Sequence, residues 1–329
     1  SGSIGPWYGT RSHKFFVAST KRFCPRQYAV SVGAMSATLA VIALSLASGA
    51  LWGVGPVFSK LGMERGGQPR RATLIVLFVG AAVFWIVPLV GGWSHGFVTR
   101  LPVMDITVFV FSGIVGTSLA WLLWFRGIRR VGASVGNVLF YTQPLFATLL
   151  AALLLGERLT SVTGAGVVLI VLGVGLLSLS DGTNVRLRFS KALLLPLAAA
   201  VFAAVSNVVN RFGFETSAAT PLEAAAINLT SALPLVVGHT LGYQPEVLTA
   251  PGRSDAYFLC SGLTNVGAVF TMFTALANGP VVVVVPLVST SPLFTTALAY
   301  VFLSDVETIT SRTLISAVLT VVGAAITAL

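Results

Sequence analysis

Apolar runs almost free of charged residues, with only Asp105, Glu223 and Arg312 near the ends of three of them, follow one another along the chain, separated by short polar connectors, at roughly 37–59, 72–90, 104–125, 133–155, 161–180, 192–210, 222–241, 256–277, 280–303 and 309–329. Each is close to the ~20 residues a helix needs to cross bilayer hydrocarbon. Their length and the lack of period-2 alternation exclude a membrane β-barrel, whose strands take about ten residues. The pattern predicts an all-α polytopic membrane protein of ten transmembrane helices.

Two of these runs are copies. Pro144, Leu145, Phe146, Thr148, Ala151, Leu155 and Thr160 recur as Pro292, Leu293, Phe294, Thr296, Ala299, Leu303 and Thr308, 148 positions on. A repeat of that length holds about five spans with their connectors. Five is odd, so the second copy enters the membrane from the opposite side. The expected architecture is two inverted five-helix repeats, 35–180 and 192–329, joined by a linker at 181–191. Inverted repeats with interrupted helices mark carriers that open a midplane site to each side in turn.

Composition agrees: 55% of residues are hydrophobic and 9% charged, against about 25% charged in a soluble domain. The net charge of +10 does not point to nucleic acid, because the basic residues sit in connectors. Loops after odd-numbered spans carry Lys60, Arg65, Arg70, Arg71, Arg126, Arg129, Arg130, Arg186, Arg188, Lys191, Arg253 and Arg312. Loops after even-numbered spans carry only Arg100, Arg158 and Arg211. The positive-inside rule puts the odd loops in the cytoplasm. The basic stretch 1–34 has no repeat partner and ends at Met35. It reads as a disordered extension or as sequence upstream of the true start, with a signal peptide as the competing reading. Cys24 and Cys260 form no disulfide framework, and His13, His95 and His239 have no ligand spacing. No cofactor or metal is expected.

Gly156-Glu157-Arg158-Leu159-Thr160, preceded by Gln143-Pro144 and followed by Gly164 and Gly173-x-Gly175, resembles the EamA-type, ten-helix permeases of the drug/metabolite transporter superfamily. Trp52-Gly53 through Lys60 and Gly62 is similar to that family's first helix, and Ala203 through Arg211 and Gly213 is its weaker copy. The resemblance covers about 37–329. In the second half Gly-Glu-Arg-Leu becomes Ser304-Asp305-Val306-Glu307, which keeps the acid and loses the glycine and the base. The resemblance implies a multi-pass permease of the plasma membrane that exports or exchanges a small organic solute.

Asp105, Glu157, Glu223, Asp255, Asp305 and Glu307 all fall at span ends, where water is expected to reach them. Coupling to protons through a buried acid is therefore disfavoured, and facilitated diffusion or exchange is expected. Glu157 and Thr160 read as structural, Thr160 as a cap of the fifth helix and Glu157 as a carboxylate at that helix's positive end.

Polar groups within spans carry more information. Asn137, Tyr141, Pro144 and Thr148 fall on one stripe of span four, and Ser289 and Pro292 lie at the matching places of span nine, where Pro286 adds a second interruption. Pro144 and Pro292 each remove a backbone donor, which is tolerated at membrane depth beside a wet cavity or a polar neighbour. Trp52 in span one, Thr117 and Trp121 in span three, Asn207 and Asn210 in span six and Asn265 in span eight complete the candidates for a substrate cavity. No paired midplane charge is present, so the expected solute is neutral or zwitterionic; an organic-anion exchanger of the sugar-phosphate kind is the rival. No Gly-x-Ser-x-Gly, His-Glu-x-x-His or phosphate-binding glycine loop supports an enzyme. A non-transporting assembly subunit would not need a matched pair of broken helices.

Overall fold

The computed structural model describes residues 32–91, 96–179, 191–243, 252–302 and 311–327. Residues 1–31 of the expected extension, linker positions 181–190, and Asp305, Glu307 and Thr308 lie outside the described residues.

Among the described residues, thirteen α-helices make up the ten spans. α1 (Val32–Glu64) and α2 (Pro69–Val90) are spans one and two. α3 (Val103–Ser112), a π-helical segment and α4 (Ala120–Val131) run together as span three. α5 (Ala133–Phe140) and α6 (Gln143–Leu150) form span four, and α7 (Ser161–Leu179) span five. α8 (Leu194–Thr216), α9 (Pro221–Tyr243) and α10 (Asp255–Asn278) are spans six to eight. α11 (Val281–Val288) and α12 (Ser291–Phe302) form span nine, and α13 (Ser311–Thr327) span ten. Eight spans are long and apolar enough to cross a bilayer, and two shorter apolar helices, Ser161–Leu177 and Ser311–Thr327, complete the set. At 17 residues, α13 still reaches the lower bound of a spanning helix.

The packing obeys the inverted repeat. Span one lies on span eight, and its partner, span six, lies on span three. Span one also packs on span nine as span six packs on span four, and spans two and seven, like five and ten, pair with each other. The most extensive of these contacts are thus matched by their images under exchange of the halves, as an axis in the membrane plane requires.

Lipid tails offer no hydrophobic drive between helices, so small residues and hydrogen bonds hold the spans together. Spans five and ten meet at Gly166 and Gly323, where a side-chain carbon at either glycine would run into the backbone of the other helix. Gly49 and Gly53 of α1 press on span nine, and Ala200 and Ala204 of α8, both fully buried, take the corresponding place against span four. Hydroxyls add cross-ties: Ser48 donates to the Ala268 carbonyl at 2.8 Å, and Ser261 to the Gly55 carbonyl at 2.9 Å. At the corresponding contact of spans six and three, Ser206 donates to the Ser112 carbonyl at 2.9 Å.

Candidate functional site

Spans four and nine are broken at the same place. Tyr141 and Thr142 separate α5 from α6, and Ser289 and Thr290 separate α11 from α12, again 148 positions apart. The backbone at the two breaks is bonded in the same way. Tyr141 N–H donates to the Asn137 carbonyl at 2.8 Å, Thr142 to Leu139 at 3.3 Å and Leu145 to Thr142 at 3.0 Å. In span nine Ser289 donates to Val285 at 3.0 Å, Thr290 to Leu287 at 3.2 Å and Leu293 to Thr290 at 2.9 Å. The threonine hydroxyls repeat the match, Thr142 Oγ1 donating to the Leu139 carbonyl at 2.6 Å and Thr290 Oγ1 to that of Leu287 at 2.7 Å. Pro144 and Pro292 follow two residues behind each break. Neither can donate to the carbonyl four residues back, which is why the helix restarts there.

The breaks face each other. The Tyr141 hydroxyl lies near the Ser291 side chain, bringing the first break to the start of α12. A chain of aromatic rings leads away from Tyr141, starting at Phe140 with centroids 6.0 Å apart. Phe140 stacks on Trp124 with centroids 5.0 Å apart, and the Trp124 indole N–H donates to Asn137 Oδ1 at 3.2 Å. Trp52 of α1 meets Trp121 edge-on at 6.3 Å, and Trp121 meets Phe125 at 6.4 Å. The polar groups at the break-to-break contact, Tyr141, Thr142, Ser289, Thr290 and Ser291, are all uncharged.

The remaining residues picked from sequence have other surroundings. Asn210, 2% exposed, accepts from the Ser112 hydroxyl at 2.5 Å; Asn228 Nδ2 donates to the same hydroxyl at 2.7 Å, and Thr117 Oγ1 donates to Asn228 Oδ1 at 2.8 Å. Thr117 and Asn210 therefore belong to one chain of bonds linking spans three, six and seven. Asn207 is buried with Nδ2 unpartnered, as is Thr148 Oγ1 on the α6 helix that packs on α8. Asn265 is buried in α10, facing Gly80 of α2. Pro286 is buried within α11, and Ser289 Oγ donates to the Val285 carbonyl at 2.9 Å. Thr142, Thr290, Ser291 and Phe140 were not picked; the recurrence of Thr142 as Thr290 at the repeat spacing was the signal that could have found the first two.

The acids require a correction. Asp105, Glu157, Glu223 and Asp255 do stand at span ends, but water does not reach Glu223 and Glu157, whose side chains are 2% and 8% exposed. Burial is possible because donors surround each one. Glu223 accepts from Arg100 Nε at 3.0 Å and Nη2 at 2.7 Å, and from the backbone N–H groups of Val98 and Thr220 at 3.3 and 2.8 Å. Arg71 makes a like fork to Asp255 at 2.7 and 2.6 Å. Under exchange of the halves the two clamps correspond: one ties the starts of spans two and eight on the odd-loop face, the other ties the start of span seven to the connector before span three on the opposite face. Removing Arg100 strands a buried carboxylate. Since Arg100 is half-exposed and the backbone donors remain, Arg100→Ala should cost about 2 kcal/mol, below the 3–5 of a fully buried pair. A thermal-unfolding comparison of wild type and variant in detergent checks this, and equal midpoints would contradict it.

Thr160 Oγ1 accepts from the Thr163 N–H at 3.0 Å and so caps α7. Glu157 does not sit on that helix end. Its carboxylate crosses to the other half and caps α11, accepting from the N–H of Val281 at 2.9 Å and of Val282 at 3.0 Å. Arg211 Nε stands 3.9 Å away, while its Nη1 donates to the Leu276 carbonyl at 2.8 Å at the end of α10. Burial pushes the Glu157 carboxyl above its ordinary value of 4.5, against the opposing pull of the two N–H groups and Arg211. An acid with a raised native pKa contributes most below its unfolded value and loses that contribution as pH rises through the raised one. As pH rises from below the ordinary carboxyl value of 4.5 through the raised one, wild type should therefore lose thermal stability relative to Glu157→Gln. A constant difference would contradict this.

Comparison with known proteins places these features in a family context. The EamA-like transporter family matches residues 39–179 and again 190–329. The chain is similar to the uncharacterized transporter YwfM of Bacillus subtilis, 29% identical over 140 residues, covering 43% of this chain and 46% of that one. It is also similar to the uncharacterized inner membrane transporter YicL of Salmonella typhimurium, 30% identical over 158 residues, 44% of this chain and 49% of that one. The chain thus spans about half the length of these two relatives. A solved crystal structure shares the fold at a TM-score of 0.70 and 24% identity, covering 89% of this chain and 97% of its own.

Proposed function

Because the chain belongs to the EamA-like transporter family, a group of multi-pass membrane transporters, we propose that it exports or exchanges a small neutral or zwitterionic organic solute across the plasma membrane, binding it between the breaks of spans four and nine. The observation that carries this reading is the identical backbone bonding at Tyr141–Thr142 and Ser289–Thr290. A pair of interrupted helices at corresponding places in inverted halves is where such carriers bind their cargo. The approach of Tyr141 to Ser291 bridges the halves at that level and is the contact that must part when the site opens. Trp52 and Trp121 supply an aromatic wall for the solute's apolar part. The unpartnered Asn207 Nδ2 and Thr148 Oγ1 are polar groups in want of a partner, which a polar end of the solute or a water would supply.

Both buried acids of the described halves are committed to structural partners, which supports uncoupled movement or exchange over proton-driven transport. The test is a flux screen of metabolites and amino acids on protein reconstituted in liposomes, with and without an imposed pH gradient. Flux of one solute class without gradient dependence is the expected result. Gradient-driven flux would overturn the uncoupled part, and flux of nothing would remove the transport assignment for this chain.

A further inference from the structure

The odd-loop face holds a cavity that the break-to-break site does not use. The first turn of α2, the last turns of α4 and the end of α9 border a half-open cavity of about 300 Å³, lined among the described residues by Arg70, Arg126, Arg129, Arg130 and His239. Arg126, Arg129 and Arg130 share one face of α4, spaced i, i+3 and i+4, where like charges repel. Their place at the C-terminal end of a helix explains part of this, since the helix dipole favours cations there. It does not explain Arg70, which stands in the first turn of α2, at the positive end of a helix whose Gln68 N-cap makes no side-chain cap bond. Arg70 Nη1 is also buried without a hydrogen-bond partner. The ion pairs among the described residues use Arg71, Arg100 and Arg211, and none of the four arginines of the cavity. Four guanidinium groups line one space, three of them exposed and the fourth with a buried idle donor, and this arrangement favours an anion among them. Guanidinium forks match tetrahedral and planar oxyanions in pairs of bonds, and the volume, at the low end for ligand sites, suits a phosphate group with little attached.

We propose that this cavity is a binding site for a phosphate-class oxyanion, supplied either by the headgroup of an anionic phospholipid at the membrane surface or by free phosphate or a small phosphate ester. Basic pockets between helices at the cytoplasmic end are a known place for acidic lipid heads, and the charge distribution puts the odd loops on that side. The site is separate from the transport reading and does not depend on it.

The experiment uses the whole protein in nanodiscs of phosphatidylcholine. In one arm phosphatidylglycerol is added to the lipid; in the other inorganic phosphate is titrated against chloride of equal ionic strength. Thermal stabilisation is read in both. Stabilisation in either arm is expected, and which arm responds identifies the source. Arg126→Gln with Arg129→Gln should weaken apparent binding by about tenfold or more, the loss of charge-assisted bonds, as should the rim substitution Arg130→Gln should the double variant not fold. Lys191→Gln, a basic residue near that face but outside the cavity lining, should respond as wild type. No stabilisation in either arm, equal response of the cavity variants and wild type, or equal loss in Lys191→Gln would each overturn the proposal.

Discussion

Alanine at both Pro144 and Pro292 leaves the protein inserted and folded but lowers solute flux by roughly tenfold or more, a rise of about 1.4 kcal/mol in the barrier. Each proline denies a bond to the carbonyl four residues earlier, of Phe140 in one half and Val288 in the other, and so holds open the turn at Tyr141–Thr142 or Ser289–Thr290. Proline is about 3 kcal/mol worse than alanine inside a helix, so alanine lets each break close into continuous helix. Closure takes away the irregular backbone proposed to meet the solute and the Tyr141–Ser291 contact. Each single substitution should give an intermediate loss. Flux measured beside circular dichroism and elution profile checks this. Unchanged flux would make the prolines packing kinks, and loss of fold along with flux would make them structural.

Gly53→Leu should have the larger effect on stability, about 3 kcal/mol or more, with flux lost as well. A side-chain carbon at Gly53 would stand 2.6 Å from Phe294 Cβ, 2.8 Å from the Ser291 carbonyl oxygen and 3.0 Å from the Thr295 backbone nitrogen. Two of these three neighbours are backbone, and they belong to the helix that restarts after the second break. Span one must move off span nine, so the cost reaches or exceeds the top of the 1–3 kcal/mol range for overpacking. Gly238→Ala in α9 meets nothing within 4 Å and should be neutral or slightly stabilising, since alanine is the better helix former. Thermal unfolding of both variants in one detergent tests the contrast; equal midpoints would mean that the approach of span one to span nine is not tight.

The fold was legible because a bilayer allows few solutions. Spans must be long, apolar and internally hydrogen-bonded, and the repetition of Pro144-Leu145-Phe146 as Pro292-Leu293-Phe294 carried the two-fold plan with it. The broken helices were legible for the same reason, since a proline twice at matching depth writes the interruption into the sequence. Contacts between halves were not. Glu157 lies next to α7 in the chain, yet its carboxylate sits on α11, and nothing in local spacing records a partner 124 residues away. Glu223 read as solvated because its position at a span end was visible and its pairing with Arg100 was not. Asn210 and Thr117 show a further limit. A polar residue on an inward stripe ties helices as readily as it faces a cavity, and only the positions of Ser112 and Asn228 reveal which. Likewise, the four arginines were counted as topology signals, and their convergence on one cavity comes from the approach of α2, α4 and α9.

The central claim is that the two breaks form one site reached from each side of the membrane in turn. Single cysteines at Thr142 and at Thr290, in a background with Cys24 and Cys260 replaced by serine, can be labelled with a membrane-impermeant maleimide applied to one side of oriented vesicles at a time. The account predicts that both positions label from both sides, and that the transported solute slows labelling at both together. Labelling of both from the same single side only, or from neither, or rates indifferent to solute, would contradict it.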